Sequence, residues 1–253
     1  MKIIRTTTLT KAQEEEIDIL IQACKKEYPL TLSFPIEDGT SFYLLYDPEL
    51  VCALSLISSE SPIECVAFTL PSRQNSGYFS ILFDKVGEEI QEAELVFPID
   101  GSNTGALMTL ESLGAEPYYD ECRMDLNLTA AGSVPQTYAS NNREVSRLRF
   151  DYTVSEDQTV FTFSLKSDSN RVPIGICHMM SYGESACLYN FEISDRFRGL
   201  GLGTEAWFHI INYLNTQQLH SVFLQVSGNN AAAIRIYEKA GFRISETLSY
   251  YLY

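Results

Sequence analysis

The stretch that decides the fold is Arg198-Gly199-Leu200-Gly201-Leu202-Gly203. It follows an apolar run that ends at Ile193 and precedes a segment, Thr204 to Leu214, whose apolar residues repeat at helical spacing. A glycine-rich turn lets the backbone approach a ligand, and the following helix adds its positive end. The stretch therefore predicts a phosphate-binding turn in an α/β fold. A tight turn that only packs the helix closely is the alternative.

Two other phosphate motifs fit this stretch less well. Gly201-x-Gly203-x-x-Ala206 formally matches a dinucleotide fingerprint, but that fold needs an acidic residue at the end of the next strand. The next strand, predicted at residues 221–226, offers Gln225 instead. A P-loop requires Gly-Lys followed by Ser or Thr, which the sequence lacks.

Periodicity predicts a mixture of helices and strands. A helix is predicted from Thr10 to Tyr28, with a capping box at Thr10 and Gln13 and a stop at Pro29. Strands are predicted at 41–46, 51–58, 63–70, 145–154, 159–166, 172–181 and 186–193. After the helix at 204–214 we expect a strand at 221–226, a helix at 230–240 ended by Gly241, and a terminal strand at 246–253.

Two segments of the chain repeat at a constant offset of 127 residues. Asp100 to Ala115 aligns without a gap with Ser227 to Phe242. The positions identical in both segments are Gly101/Gly228, Asn103/Asn230, Ala106/Ala233, Glu111/Glu238 and Gly114/Gly241. We interpret the chain as two copies of one fold.

Composition predicts the boundary between the copies. Small uncharged residues around Gly132 and Pro135 are typical of a linker. We expect a first domain at 1–128, a linker at 129–142 and a second domain at 143–253. Residues 1–137 carry 22 acidic and 8 basic side chains, whereas residues 138–253 carry 11 and 10. The acidic half is either a solvated face or a wall that attracts a cationic substrate.

The order strand, Arg198-x-x-Gly201-x-Gly203, helix, strand, Asn230-x-x-Ala233-x-x-x-Tyr237-x-x-x-Gly241-Phe242 resembles the GNAT superfamily of N-acetyltransferases. The resemblance covers residues 145–253 well and residues 1–127 more weakly. It implies an α/β (α+β) fold of two GNAT-like acyl-CoA N-acyltransferase domains, each a mixed, mostly antiparallel sheet flanked by helices. It also implies acetyl-CoA as the donor, an amine as the acceptor, and direct transfer in a ternary complex.

The resemblance implies roles for individual residues. Tyr237 would be the general acid for the leaving thiolate, with a core aromatic as the alternative. Glu192, an acid in an otherwise buried-looking run, would be the general base, and a water chain without a dedicated base is the alternative. The backbone of Ile193 would donate to the thioester carbonyl. The implied donor-binding residues are Phe191, Ile193, Arg198, Gly199, Gly201, Gly203, Thr204, Asn230, Ala233 and Tyr237. Asn230 would also suit a helix N-cap.

The first copy departs from this pattern where the chemistry needs it. Leu110 stands where Tyr237 stands, and Thr69 stands where Glu192 stands. After a one-residue gap, Gln74 aligns with Arg198 and Phe79 with Gly203. A bulky Phe should obstruct a loop that must contact a pyrophosphate. We therefore expect the first copy to be degenerate, without catalysis and without bound CoA.

Composition limits the partners and the location. The formal net charge is -15, which disfavours nucleic acids and anionic membranes as partners. The sequence has no apolar run of about 20 residues and no secretory signal at its start, so we expect a cytoplasmic protein. Six scattered cysteines without a C-x-x-C pair favour reduced, buried thiols. The three histidines, His178, His209 and His220, lack metal-ligand spacing, so no metal is expected.

The function that we predict is an N-acetyltransferase that moves an acetyl group from acetyl-CoA to a primary amine, such as a cationic small molecule. The protein would be a monomer or a homodimer. A non-catalytic acyl-CoA-binding sensor and a structural or protein-binding pseudoenzyme are the alternatives.

Overall fold

The computed structural model describes residues 1–28, 30–58, 61–90, 93–101, 103–129 and 146–253. Contacts divide the chain into an N-terminal unit, Met1–Asp120 with Leu248–Tyr253, and a C-terminal unit, Glu121–Thr247. Two segments thus cross the boundaries predicted from composition: residues 121–127 complete the C-terminal unit and residues 248–253 the N-terminal unit. The predicted linker lies outside the described residues except for Thr129.

The N-terminal unit is a mixed sheet with helices on it. Its described strands lie in the order β1, β2, β3, β4, β5 and then residues 248–252, and among these described strands only β4 and β5 are parallel neighbours. The elements are β1 (Lys2–Thr6), α1 (Lys11–Glu27), β2 (Thr40–Tyr46), β3 (Leu50–Ile57), β4 (Ile63–Thr69), α2 (Tyr78–Gly87), β5 (Leu95–Asp100) and α3 (Thr104–Leu113). The predicted capping box is confirmed, because the Gln13 N–H donates to Thr10 Oγ1 and the Thr10 N–H donates to Gln13 Oε1.

The C-terminal unit has the same kind of sheet. Residues 121–127 of β6 lie beside β11, followed in order by β10, β9, β8 and β7, and within the described part of this unit only β10 and β11 are parallel. The elements are β6 (Glu116–Asn127), β7 (Leu148–Ser155), β8 (Gln158–Leu165), β9 (Pro173–Tyr182), β10 (Ser185–Ile193), α4 (Leu202–Leu214), β11 (Ser221–Ser227), α5 (Ala231–Lys239) and β12 (Arg243–Leu252). Apolar side chains of β6, Met124 and Leu126, are buried in this core.

The structure confirms most of the predicted elements and adds others. Strands β1, β5 and β6 and helix α2 were not predicted, and helix α3 was indicated only by the internal repeat. Helix α4 begins at Leu202, two residues earlier than expected, so Gly203 and Thr204 lie in its first turn. All six cysteines are free, and all except Cys187 are buried, as expected for reduced thiols.

In both sheets, the pairing between the two parallel strands ends at an equivalent place. The parallel pairing of β10 with β11 is described up to Leu188 and Leu224, and that of β4 with β5 up to Glu64 and Val96. A cavity lies beyond the last described pair in each unit. Parallel neighbours that lose their pairing leave room for a ligand between them, so these two cavities are the sites to consider.

Candidate active site

The cavity of the C-terminal unit opens at an irregularity in strand β10. The register between β10 and β9 shifts between Tyr189 and Glu192, and Asn190 adopts a positive φ of 50°. Such a bulge bends its strand and redirects the neighbouring side chains. The cavity has a volume of about 240 Å³ and is lined by Leu188, Tyr189, Asn190, Phe191, Trp207, Leu224, Gln225, Val226, Ser227, Asn230 and Tyr237.

Tyr237 forms one wall of this cavity from helix α5. Its side chain is 6% exposed, and its ring meets the ring of Trp207 edge to face at 4.9 Å between centroids. Burial raises the pKa of Tyr237 to about 12. The phenol therefore keeps its proton throughout the neutral pH range. The indole N–H of Trp207 is buried and has no hydrogen-bond partner within the described residues.

The glycine turn has the backbone that the sequence predicts. Gly199 and Gly201 have φ values of 74° and 77°, and Gly201 caps helix α4 without any side-chain hydrogen bond. The first N–H groups of an α-helix have no partner within the helix, so the N-terminus of α4 suits an anion. A Cβ on Gly203 would lie 3.4 Å from Ile236 Cδ1. Close helix packing and an open anion site therefore coexist in this turn.

Arg198 holds the turn against strand β10. Its Nε donates to the Ile193 carbonyl oxygen at 2.8 Å, and its Nη1 lies 2.6 Å from Asp195 Oδ1. Its Nη2 lies 3.7 Å from Glu192 Oε1. The guanidinium is thus anchored to the strand end, and 58% of the side chain remains exposed for a ligand.

Glu192 is exposed. The expectation that it lies in a buried strand is wrong, because 65% of its side chain is exposed and Arg198 pairs with it. The cause is the bulge, which interrupts the alternation of β10 before Glu192 and leaves Ile193 as the buried neighbour. Glu192 does not line the cavity of Tyr237. The cost of burying a carboxylate therefore gives no support to Glu192 as the general base.

The N-terminus of helix α5 carries the remaining predicted residues. Asn230 Oδ1 accepts from the Ala233 N–H at 3.1 Å, so Asn230 is an N-cap as well as a cavity wall. Asn103 makes the same bond to Ala106 at 3.1 Å in the N-terminal unit, which confirms the internal repeat in three dimensions. Phe191 packs edge to face on Trp207 with 5.5 Å between ring centroids. The structure therefore places Phe191, Asn230 and Tyr237 around one cavity.

The structure adds a clamp on the glycine turn that was not predicted from the sequence. Arg147 Nη2 donates to the Leu200 carbonyl oxygen at 3.1 Å, and its Nε donates to Glu205 Oε2 at 3.1 Å. Glu205 Oε1 also accepts from the Leu148 N–H at 2.9 Å and from Ser146 Oγ at 2.7 Å. These partners lie 53 to 59 residues apart in sequence. No local pattern could therefore have revealed the clamp.

The clamp predicts a pH-dependent stability. Burial opposes ionisation of Glu205, but hydrogen bonds from Ser146, Leu148 and Arg147 outweigh it, so the pKa of Glu205 lies below its ordinary value. A depressed folded-state pKa contributes stability above the ordinary pKa, and this stability is lost as the pH falls through the folded-state value. We expect Glu205→Gln to lower the free energy of unfolding by about 1 to 2 kcal/mol at pH 7.

Urea unfolding at several pH values measures this effect. The difference between Glu205→Gln and the unmodified chain should shrink as the pH falls below 4. Glu238→Gln, on the exposed face of α5, is the matched control and should leave the unfolding curve unchanged. A difference that is the same at every pH would contradict the assignment to the carboxylate charge.

Metal sites and membrane spans were sought in the described part of the chain. Among these residues there is no group of three or more His, Cys, Asp or Glu side chains placed to hold a metal ion. None of the helices described there is long and apolar enough to cross a membrane.

Comparisons with known proteins agree with this geometry. Residues 129–242 match the Acetyltransferase (GNAT) family. The [Ribosomal protein bS18]-alanine N-acetyltransferase of Salmonella typhimurium is 37% identical over 59 residues, which are 23% of this chain and 40% of that protein. The chain thus spans less than half the length of this curated relative.

Two solved structures align with almost the whole chain. A GCN5-related N-acetyltransferase from Sphaerobacter thermophilus has a TM-score of 0.70 at 14% identity and covers 99% of this chain and 95% of its own. A tandem GNAT protein from the clavulanic acid biosynthesis pathway has a TM-score of 0.66 at 12% identity, with 100% and 98% covered. At these identities the likeness shows the fold, which confirms the predicted fold class. Residues 129–242 therefore match a domain of the acetyltransferase (GNAT) family, whose acetyl donor is acetyl-CoA.

Proposed function

We propose that the C-terminal unit transfers an acetyl group from acetyl-CoA to a primary amine, directly and within a ternary complex. The observation that carries this proposal is the juxtaposition of a protonated, buried Tyr237 with a cavity at the β10 bulge. The anion-binding turn before α4 follows the same strand. A donor with a pyrophosphate at one end and a thioester at the other fits these two features.

The donor would be held along strand β10 and the turn that follows it. The N–H groups at Gly199, Gly201, Gly203 and Thr204 would bind the pyrophosphate, and Arg198 would add a charged donor. The backbone of Phe191 and Ile193 would pair with the pantetheine arm like an added strand. Asn230 and Ala233 would contact the donor from the start of α5.

The chemistry then needs one proton removed and one supplied. The amine nitrogen attacks the thioester carbon, the C–N bond forms and the C–S bond breaks. Tyr237 would give its proton to the departing thiolate, and the backbone N–H of Ile193 would stabilise the carbonyl oxygen. The amine proton would leave through water to Glu192. The exposure of Glu192 supports a base that exchanges protons with solvent.

The role of Glu192 predicts a change in the pH–rate profile. We expect Glu192→Gln to lower the turnover number about tenfold or more and to remove the acidic limb of the profile, because the amide cannot accept a proton. Glu184→Gln, on an exposed glutamate after β9, is the control. An unchanged profile would favour the alternative, a water chain without a dedicated base.

For the acceptor we propose several classes of amine and not a single compound. The relative from Salmonella typhimurium is named for the alanine of a ribosomal protein, so a peptide α-amine belongs in the acceptor panel. The net charge of -15 favours cationic amines, so polyamines and aminoglycosides belong there too.

Calorimetric titration of the whole chain with acetyl-CoA tests the proposal before any acceptor is known. We expect one site per chain. Failure to bind acetyl-CoA would overturn the proposed function. Tight binding without CoA release on any amine of the panel would overturn the transferase activity and favour an acyl-CoA-binding sensor.

A further inference from the structure

The N-terminal unit contains the larger cavity. Its volume is about 430 Å³, within the range of small-molecule sites, against about 240 Å³ in the C-terminal unit. Aromatic and aliphatic side chains from β4, β5, α2, α3 and the segment after α1 line it, among them Leu30, Phe68, Phe79, Phe97 and Leu110. The lining of the cavity is therefore largely apolar, and the cavity is large enough to enclose a small organic molecule.

This cavity lies where the internal repeat places the catalytic one. Residues 97–100 of its wall align with residues 224–227, and Leu110 aligns with Tyr237. The turn beside it also keeps its backbone, with φ values of 57° at Asn75 and 79° at Gly77. The cavity is thus a retained site that has lost the phenol.

The overall charge of the N-terminal unit favours a cation, and the two charged side chains on the described cavity wall are Arg73 and Asp100. Gln74 stands in place of Arg198, and residues 1–120 carry 20 acidic and 7 basic side chains. A polyphosphate ligand would be repelled, whereas a positive ligand would be attracted. The aromatic side chains of Phe68, Phe79 and Phe97 line the cavity, and aromatic rings are favourable neighbours for an organic cation.

Asp100 provides the most specific feature of the wall. It is 6% exposed, and its carboxylate accepts from the Thr31 N–H at 3.1 Å, from Thr31 Oγ1 at 2.6 Å and from the Leu32 N–H at 3.2 Å. These bonds hold the carboxylate in place, yet it forms no ion pair with the described residues, including Arg73 on the same wall. Buried charges are normally paired, so the site lacks a positive partner. The aligned residue in the catalytic copy is the neutral Ser227.

We propose that this cavity is a second, non-catalytic binding site for a small organic ammonium ion with an aromatic or aliphatic body. The ammonium group pairs with Asp100, and the body lies among the Phe and Leu side chains. Because Leu110 replaces the tyrosine, the site binds its ligand without chemistry. The proposal does not depend on acetyl transfer in the C-terminal unit.

Methyl-labelled NMR of the full chain locates the binding site directly. The probe is 2-phenylethylamine, and its neutral counterpart is 2-phenylethanol. We expect the amine to shift the methyl signals of Leu30, Ile99 and Leu110 but not those of Leu224 and Val226. Asp100→Ser, which copies the residue of the second copy, should weaken amine binding about tenfold to a hundredfold and leave the alcohol unaffected.

A second variant guards against misfolding of the first. Ala67→Leu enlarges a side chain in the cavity wall on β4 and changes no charged residue. It should weaken the binding of both probes. Amine shifts confined to the C-terminal unit, or equal loss of amine and alcohol in a folded Asp100→Ser chain, would overturn the proposal. Shifts of Leu30 and Leu110 with acetyl-CoA but not with the amine would also overturn it.

Discussion

Replacing Tyr237 with Phe is expected to lower the turnover number about a hundredfold and to leave the affinity for acetyl-CoA unchanged. The ring would still pack on Trp207, which it meets at 4.9 Å, so the cavity wall would keep its shape. Only the phenolic proton would be lost. Because burial raises the pKa of Tyr237 to about 12, this proton is present at every pH at which the enzyme would be assayed.

Steady-state kinetics and calorimetry on the same preparation separate the two effects. Tyr213→Phe is the matched control, because Tyr213 packs against Phe161, with 5.0 Å between ring centroids, and does not line the cavity. We expect this control to turn over normally. A fully active Tyr237→Phe variant would remove Tyr237 as the acid and leave it as a core aromatic.

The second large effect is expected at Gly201. Its φ of 77° is a conformation that β-branched residues rarely adopt, and a Cβ there would lie 3.7 Å from Arg147 Nη2. Gly201→Val should therefore displace both the turn and its clamp. We expect the dissociation constant for acetyl-CoA to rise about tenfold or more, on the basis of about 1 to 3 kcal/mol of backbone strain.

Gly183 provides the control for strain alone. It has a φ of 62° between β9 and β10, and a Cβ there would meet no atom within 4 Å. Gly183→Val should lower the free energy of unfolding by about as much as Gly201→Val, about 1 to 3 kcal/mol. Only the Gly201 variant should lose affinity for acetyl-CoA. Equal loss in both variants would show that the turn has no special role in donor binding.

Local signals in the sequence predicted much of this fold. The capping box of α1, the glycine turn and the repeat of Asn103 and Asn230 depend on residues close together in the chain, and each is found in the structure. Signals of this kind work because caps and turns are formed by neighbours within a few residues.

Features that depend on residues far apart in the chain could not be predicted from local sequence signals. Glu192 is exposed because β10 has a bulge where it pairs with β9. The alternation of apolar and polar residues within β10 does not reveal this bulge. The pairing of residues 121–127 with β11 is also non-local. Phe79 stacks on Phe83 with 5.5 Å between ring centroids and lines the cavity, and its obstruction of CoA binding stays a prediction.

The crossing of strands between the two units has a consequence for the history of the chain. Residues 121–127 bury Cys122, Met124 and Leu126 in the C-terminal unit, and residues 248–252 pair with β5 in the N-terminal unit. A gene that lost its first half at the linker would encode a protein with an unprotected edge at β11. Each unit therefore contains a segment from the other half of the chain. Selection on the function of the C-terminal unit alone would favour retention of the first half.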